Sequence, residues 1–332
     1  KSFVVLSCLV TGSAIMLLVW YQGCGGGSSS SSSSSSSGGG LPTQTQQLRI
    51  VNNCAYTIWI QQDGTYSVPP AGVQTLTSGG YVDYEVPAAG QASTRFWPKT
   101  GCDSTGQNCT IGQSSNPCPS GGCAPPVDSK LEVTWGCTLS KQTQCASTPQ
   151  GNVIPAVTSW DTSAVDGYTL PYKVTIVSSG GTACTGADCS SCENIDCSTL
   201  SIDKCPTTEN LSVGQSGTIF SQFISENLVV TNTISPGTSL GCFSPCKKLN
   251  YPSNTGFNGE NQAETSDPTL MYCCPTPPIE PATCRAGPAA TTTYLSVIHN
   301  NCTGGVYAYA YDDVTGLHNC SAGTQMLMTF CP

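Results

Sequence analysis

The sequence has few charged side chains. Only 9% of its 332 residues are Asp, Glu, Lys or Arg, against about 25% in an average globular protein. Eleven Lys and Arg stand against twenty Asp and Glu, so the formal net charge is −9. Because this balance leaves no excess of cations to neutralise a phosphate backbone, we expect no nucleic-acid partner. The hydrophobic fraction of 38% indicates a folded chain, since disordered chains are typically poor in hydrophobic residues.

Residues and motifs that commonly serve catalysis are also scarce. The chain has two histidines, His299 and His318, and no Ser stands in a nucleophile elbow. The glycine-rich phosphate loop, the dinucleotide fingerprint and the EF-hand loop are all missing from the sequence. These absences argue against a serine hydrolase triad, and we predict that the protein uses no cofactor and no metal ion.

Long helical patterns are missing beyond the N-terminal segment. Short stretches rich in β-branched and aromatic residues alternate there with Gly, Pro, Asn and Ser, which is typical of short strands separated by turns. A mainly β fold, an antiparallel sandwich or barrel, is therefore predicted over any α/β class. The predicted strands are Gln47–Asn52, Thr57–Gln61, Tyr81–Val86, Ser93–Trp97, Leu131–Trp135, Tyr172–Val177, Tyr294–His299, Val306–Tyr311 and Gln325–Phe330.

Cysteine, in contrast, is abundant. Of the 22 cysteines, Cys8 and Cys24 lie in the N-terminal segment, so 22 − 2 leaves an even twenty downstream. In an exported chain this count favours ten disulfides, and the spacing of Cys189 and Cys192 favours a disulfide over a zinc site. Cysteines become dense and strands scarce between about residues 184 and 290, which predicts a loop-rich subdomain held together by disulfides.

The N-terminal segment has the pattern of an export signal. An uncharged stretch from Phe3 to Tyr21 ends at Gly23 and Cys24 and is followed by Gly and Ser residues. This pattern predicts a signal peptide over residues 1–24 with lipidation at Cys24, a flexible linker over 25–46 and a folded domain over 47–332. The alternative is an uncleaved anchor, since the apolar stretch is just long enough to span a bilayer. Either interpretation places the domain outside the cytosol and attached to a membrane.

Four motifs in order along the domain resemble the thaumatin-like protein family. They are Val51-Asn52-Asn53-Cys54 with Tyr56-Thr57-Ile58-Trp59, Phe96-Trp97 with Thr100-Gly101-Cys102, Val165-Asp166-Gly167-Tyr168-Thr169-Leu170-Pro171, and Thr329-Phe330-Cys331-Pro332. The resemblance implies a flattened antiparallel β-sandwich with the cysteine-rich subdomain on one side and a cleft between them. The stretches Pro206–Gly241 and Asn250–Met271 are longer than in the family and can narrow or cover that cleft.

The resemblance also implies a disulfide pattern. Its eight bridges correspond here to Cys54–Cys331, Cys102–Cys109, Cys118–Cys123, Cys184–Cys320, Cys189–Cys302, Cys205–Cys242, Cys246–Cys273 and Cys274–Cys284. Two further local bridges, Cys137–Cys145 and Cys192–Cys197, complete the twenty cysteines.

The family's cleft carries one Glu, three Asp and one Arg, and the resemblance transfers these positions to this chain. Glu132 matches the Glu, Asp161 and Asp166 match the first two Asp, and Asp312 matches the last, with its neighbour Asp313 as the alternative. Lys99 is taken to stand at the Arg position, which would keep the charge but lose the bidentate guanidinium.

Several carboxylates in one cleft can divide the work of glycoside hydrolysis. One must be held protonated to donate to the leaving oxygen, while the other is ionised and activates water or attacks carbon. We expect Glu132 to be the proton donor and Asp161 the base, with Lys99, Asp166 and Asp312 binding substrate. The alternative is that the Asp residues cap turns.

Three tyrosines, Tyr307, Tyr309 and Tyr311, alternate along one predicted strand. Aromatic rings on one strand face can stack on sugar rings, but burial in the core of the sandwich is the more common role of such rings. Both roles remain open at this point.

The predicted function is therefore that of a surface-attached, monomeric protein that binds polysaccharide, β-1,3-glucan, with weak hydrolysis through the acidic cleft. The alternative is a protein-interaction module without a bound carbohydrate, such as a glycosidase inhibitor or a defence protein.

Overall fold

The structure is a computed structural model, and it describes residues 47–63, 66–113, 127–178, 192–232 and 236–332. The strands in these ranges are β1 (Gln47–Asn52), β2 (Ile58–Gln62), β3 (Gln74–Leu76), β4 (Tyr81–Glu85), β5 (Gln91–Lys99), β6 (Lys130–Trp135), β7 (Val157–Ser163), β8 (Gly167–Tyr168), β9 (Tyr172–Ser178), β10 (Ile195–Cys197), β11 (Val229–Val230), β12 (Gly241–Phe243), β13 (His318–Ser321) and β14 (Gln325–Phe330). The α-helices are short: α1 (Pro245–Asn250), α2 (Thr269–Cys273), α3 (Pro281–Arg285), α4 (Thr293–Asn301) and α5 (Asp313–Gly316). The N-terminal signal, Cys24 and the linker lie outside the described residues.

Two large sheets share one hydrophobic core. The first has the strand order β13-β7-β6-β5-β2-β3 and the second the order β10-β9-β14-β1-β4, while β11, β12 and β8 form a small third sheet. Ile58 and Ile60 of the first sheet and Leu48 and Ile50 of the second are fully buried in the same cluster. The strand pairs are antiparallel except β1 with β14. The predicted antiparallel β-sandwich is thus confirmed, with one parallel pair at its centre.

Period-two alternation explains why the terminal strands form. In β14, Met326, Met328 and Phe330 are fully buried while the residues between them are half-buried. Successive side chains of a strand point to opposite faces, so this strand turns one apolar face to the core. The Cys54–Cys331 disulfide then joins the chain just beyond β1 to the chain just beyond β14.

Seven of the nine predicted strands are confirmed to within two residues at either end. The prediction for Tyr294–His299 is wrong, because this segment forms α4. The side chain of Thr292 accepts from Leu295 N at 3.0 Å, and the buried carboxylate of Glu209 accepts from Thr293 N at 3.0 Å and Tyr294 N at 2.7 Å. These contacts satisfy backbone donors at the helix start that would otherwise lack partners.

The prediction of a strand over Val306–Tyr311 is also wrong. The backbone of Tyr307 makes one isolated parallel bridge to Ser163, after which the chain turns and Tyr311 adopts a left-handed φ of 70°. The segment contacts the end of β7 without extending the sheet.

Six predicted disulfides are confirmed, including both that close the α1–α3 region: Cys54–Cys331, Cys102–Cys109, Cys137–Cys145, Cys205–Cys242, Cys246–Cys273 and Cys274–Cys284. Three predicted pairings, Cys184–Cys320, Cys189–Cys302 and Cys192–Cys197, are wrong. The structure instead contains Cys192–Cys320 and Cys197–Cys302. Cys118, Cys123, Cys184 and Cys189 lie outside the described residues.

A backbone contact accounts for the changed pairing. Asp196 and Thr303 form an antiparallel bridge, with Asp196 N donating to Thr303 O at 3.2 Å. Their neighbours Cys197 and Cys302 are thereby brought to a Cα separation of 4.2 Å. Since the two cysteines are 105 residues apart in sequence, no local spacing reveals this contact.

Disulfide mapping tests the corrected pairing. Peptides from the unreduced protein are expected to be linked through Cys192–Cys320 and Cys197–Cys302, because the Asp196–Thr303 bridge holds the second pair together. Mass spectrometry before and after reduction identifies the linked peptides. A peptide that links Cys192 to Cys197 would show that the pairing described here is wrong.

The two stretches that are longer than in the family, 206–241 and 250–271, contact each other and α1. The ammonium nitrogen of Lys248 lies 2.7 Å from Glu260 Oε1 and 3.4 Å from Glu226 Oε2. Asn258 Oδ1 also accepts from Thr231 N at 2.8 Å. The side chain of Lys248 is only 5% exposed, so one buried lysine joins both stretches.

In the described ranges, no helix is both long and apolar enough to cross a membrane.

Candidate functional site

Three charged residues lie side by side across adjacent strands of the first sheet. Arg95 of β5 is directly opposite Glu132 of β6, and Glu132 is directly opposite Asp161 of β7. Directly opposed residues have Cβ atoms about 4.5–5.5 Å apart and share one face of the sheet. Arg95 Nε donates to Glu132 Oε1 at 2.6 Å. The strand register thus builds a row with a cation, its carboxylate partner and a second carboxylate.

Asp161 retains its proton to higher pH than a free aspartate. Burial raises the pKa of the Asp161 carboxyl well above its usual range, and the neighbouring Glu132 carboxylate raises it further. Arg95 and Lys130 act in the opposite direction but do not outweigh these causes. Desolvation and a like charge both disfavour the ionised form of Asp161.

The pKa of Asp166, in contrast, is lowered. Lys130 pairs with its Oδ2, and Lys247 of α1 lies 3.2 Å from its Oδ1. Burial alone would raise the pKa of Asp166, but the two ammonium groups outweigh it and hold this pKa below the usual range. Asp166 is therefore an ionised carboxylate shared between a strand of the sandwich and a helix of the cysteine-rich subdomain.

The structure separates the roles of Asp312 and Asp313. Asp312 is buried, its Oδ2 accepts from Ala308 N at 3.2 Å and lies 3.6 Å from His299 Nε2, and it supports the turn. Asp313 Oδ1 accepts from the Tyr307 hydroxyl at 2.7 Å, and its charge also raises the pKa of Asp161. Asp313 is thus the residue whose charge acts on the row, and we call Glu132, Asp161, Asp166 and Asp313 the carboxylate cluster.

Lys99 does not supply the cation of this cluster. Its Nζ donates to Gly106 O at 2.5 Å and to Gln61 Oε1 at 3.2 Å, and the residue is only 1% exposed. Burial lowers the pKa of Lys99. The expectation that Lys99 replaces the arginine of the site is corrected, because Arg95 provides a guanidinium beside Glu132.

Sequence reasoning passed over Arg95 although it lies inside the predicted strand Ser93–Trp97. The sequence did contain a signal for this pair. Residues alternate between the two faces of the predicted strands Ser93–Trp97 and Leu131–Trp135, and this alternation is compatible with Arg95 lying opposite Glu132. Whether it does so depends on the register between the strands, and register is set by the turn and the packing rather than by either strand alone.

The three tyrosines do not form one aromatic face. Tyr307 donates to Asp313, while the Tyr311 hydroxyl donates to Thr276 Oγ1 at 2.7 Å. Tyr309 packs against the small apolar cluster around Leu270. Tyr311 packs against the same cluster as Tyr309, so these rings are held by protein contacts rather than aligned along one strand face.

Among the described residues, no group of three or more His, Cys, Asp or Glu side chains is arranged to hold a metal ion. Three of the four carboxylates of the cluster are paired with protein cations: Glu132 with Arg95, Asp166 with Lys130 and Lys247, and Asp313 with Arg285.

The chain is similar to several known proteins. Residues 52–332 match the model of the Thaumatin family. A glucan endo-1,3-beta-glucosidase from Prunus avium is 28% identical over 293 residues, covering 85% of this chain and 88% of the relative. Thaumatin-like protein 2 from Prunus persica is 27% identical over 282 residues, with the same two coverages. A laminaripentaose-producing β-1,3-glucanase of glycoside hydrolase family 64 from Paenibacillus barengoltzii, solved with laminarihexaose, is 13% identical and covers 87% of this chain and 76% of its own, with a TM-score of 0.45.

The family match spans nearly the whole described chain, from the end of β1 to the last residue, and includes every residue of the carboxylate cluster and its cations. The mainly β fold, the disulfides and the four sequence motifs are consistent with it. This chain is a member of the thaumatin family.

Proposed function

We propose that this protein binds β-1,3-glucan at the carboxylate cluster and hydrolyses it slowly. The observation that carries the proposal is the row Arg95, Glu132 and Asp161, which places two carboxyl groups directly opposite each other on neighbouring strands, one of them paired with a guanidinium. Such a pair is what acid–base cleavage of a glycosidic bond requires. The name of the Prunus avium relative, a glucan endo-1,3-beta-glucosidase, supports the choice of substrate.

The geometry favours an exchange of the two catalytic roles expected from the sequence. Glu132 has a guanidinium partner at 2.6 Å. Asp161 has its pKa raised by burial and by Glu132, so it is the better proton donor. In the proposed reaction Asp161 protonates the glycosidic oxygen, the bond from that oxygen to the anomeric carbon breaks, and Glu132 attacks that carbon to form a glycosyl ester. Water then hydrolyses the ester, giving its proton to Asp161 and releasing Glu132.

The remaining charged groups bind rather than react in this proposal. Asp166 and Asp313 each keep an oxygen near protein cations and accept hydrogen bonds from sugar hydroxyls with the lone pairs that remain. The exported location expected from the disulfides agrees with a polysaccharide ligand outside the cytosol. Attachment to a surface through residues 1–46, by lipidation of Cys24 or by a membrane anchor, is part of the proposal and rests on the sequence pattern alone.

Retention on insoluble β-1,3-glucan tests the binding half of the proposal. The full chain should be retained on this glucan, pass through cellulose, and be eluted by soluble β-1,3-glucan oligosaccharides. Arg95→Ala removes the guanidinium beside Glu132 and should weaken retention about tenfold, in line with the loss of one charged hydrogen bond. Arg49→Ala is a matched control, because Arg49 makes a comparable pair with Asp83 on the other sheet.

If the unaltered protein is not retained on β-1,3-glucan, the proposed function is wrong. A protein partner would then have to be sought at the same face of the sandwich. If Arg49→Ala weakens retention as much as Arg95→Ala, binding does not take place at the carboxylate cluster.

A further inference from the structure

We propose that Arg285 is a positioning residue of the carboxylate cluster: from the cysteine-rich subdomain it holds Asp313 in place and so controls the charge that Asp161 experiences. The inference deepens the proposed function, because it names a residue outside the sandwich that regulates the same site. Two contacts of Arg285 with one turn support it: its side chain binds the carbonyl oxygen of Tyr311 and the carboxylate of Asp313.

Arg285 is the last residue of α3 and makes two directed contacts. Its Nη2 donates to Asp313 Oδ2 at 2.5 Å, and its Nε donates to Tyr311 O at 2.8 Å. A guanidinium is planar and its donors have fixed directions, so two bonds from one group set both the position and the orientation of the turn. A lysine at this position could provide the charge but not this geometry.

Tyr311 is a position where such support is needed. Its φ of 70° lies in the left-handed region, which is rarely populated by residues other than glycine and persists where surrounding contacts hold it. The bond from Arg285 to the carbonyl oxygen of Tyr311 is one of these contacts, and Asp313 follows two residues later. The conformation that presents Asp313 is therefore tied to α3.

Asp313 is held from the other side by the sandwich. Tyr307, whose hydroxyl donates to Asp313 Oδ1, is fixed to β7 by two backbone bonds: Tyr307 N donates to Thr162 O at 3.0 Å, and Ala164 N donates to Tyr307 O at 2.7 Å. Thr162 directly follows Asp161. One carboxylate is thus clamped between the strand that carries Asp161 and a helix of the cysteine-rich subdomain.

The Arg285–Asp313 pair is not needed to hold α3. The side chains are 39% and 32% exposed, and pairs with this exposure contribute little to stability. The Cys274–Cys284 disulfide already anchors the helix next to Arg285, and Cys284 Sγ lies 3.2 Å from Ala310 O. Substitutions at Arg285 should therefore leave the fold intact and reveal its effect on the cluster.

The effect reaches Asp161 through charge. The negative charge of Asp313 raises the pKa of Asp161, together with burial and Glu132. Arg285 places a positive charge beside Asp313, and this charge offsets part of the increase that Asp313 causes in the pKa of Asp161. The charged groups that act on the Asp161 carboxyl include Glu132, Arg95, Lys130 and Asp313, and the hydroxyls of Tyr172 and Tyr307 also interact with it. Arg285 changes the effect of Asp313.

Carboxyl titration by carbon-13 NMR tests the proposal. In Arg285→Ala the Asp161 signal, assigned by its loss in Asp161→Asn, should titrate about 0.5–1 pH unit higher than in the unaltered protein, because Asp313 loses its cation. Arg285→Lys keeps the charge but not the two directed bonds, so it should return the Asp161 midpoint only part of the way to that of the unaltered protein. Arg49→Ala removes an equivalent arginine–aspartate pair on the other sheet and should leave the Asp161 midpoint unchanged.

An Asp161 midpoint in Arg285→Ala that equals that of the unaltered protein would overturn the proposal, as would an equal shift in Arg49→Ala. The titration needs no glucan, so it decides the role of Arg285 even if the proposed glucan binding fails. Conversely, glucan retention with an unchanged Asp161 midpoint would leave the proposed function standing and remove Arg285 from it.

Discussion

Replacement of Asp166 by Asn is expected to lower the free energy of unfolding by about 3 kcal/mol at pH 7, the lower end of the range for breaking a buried ion pair. The substitution keeps the shape of the side chain but leaves Lys130 and Lys247 facing each other without the carboxylate between them. The Lys130 side chain is only 7% exposed, so water cannot fully replace the lost partner. Denaturant unfolding of both proteins measures the difference.

The difference in the free energy of unfolding between the unaltered protein and Asp166→Asn should become smaller in acid. The Asp166 carboxyl has a lowered pKa in the folded protein, so its stabilising contribution is fully present above the unfolded value of about 3.9 and is lost as the pH falls through the folded value. The two proteins should therefore converge in stability only in acid below about pH 4. Asp203→Asn is the control, because Asp203 and Lys204 form an exposed pair at 3.6 Å and its loss should have no measurable effect. An equal loss of stability in Asp166→Asn and Asp203→Asn would show that the ion pairs of Asp166 contribute no more to stability than an exposed pair does.

Replacement of Asp161 by Asn is expected to reduce any β-1,3-glucan hydrolysis by about 10²–10⁴-fold, the usual range for losing a general acid. Asparagine keeps the shape but has no proton to donate at that position. Glu132→Gln should have an effect of the same order, since it removes the ionised partner, while binding on insoluble glucan should persist in both variants. Initial rates of reducing-end release measure the change.

The pH profile distinguishes the two roles. If Asp161 is the donor, activity of the unaltered protein must fall as the pH rises through its raised pKa, because the donor is then ionised. Glu193→Gln is a control for a general effect of losing a carboxylate, because Glu193 is exposed and is not part of the cluster. Equal rates in Asp161→Asn, Glu132→Gln and the unaltered protein would rule out this pair as the catalyst, and the binding proposal would then stand alone.

The strands were largely predictable because a strand in a sandwich needs only local alternation. β1 and β14 were predicted with their observed bounds, since apolar residues alternate along them: Leu48 and Ile50 in β1, and Met326, Met328 and Phe330 in β14. β7 was not predicted, although it carries Asp161, because Ser, Thr and Asp fill much of it. Its place in the sheet depends on pairing with β6 and β13, and this pairing is not visible in the segment itself.

The helix α4 shows how a distant residue changes local structure. Tyr294–His299 contains the β-branched residues Val297 and Ile298, which favour a strand. The segment is helical because Glu209, more than eighty residues earlier, satisfies the first backbone donors. A contact of this range cannot be inferred from local propensity.

Composition, alternation and motifs were sufficient to predict the mainly β class, the family and an even set of cysteines, and they singled out Glu132, Asp161 and Asp166 as candidates. Which charges meet depends on how the strands and helices pack. A side chain changes face when a strand slips by one residue, so it is the register of β5 on β6 that sets Arg95 against Glu132. Lys99, four residues further along the same strand, is buried against Gly106 and Gln61 instead. The raised pKa of Asp161 has the same origin, since burial and neighbouring carboxylates from other elements are properties of the packed molecule.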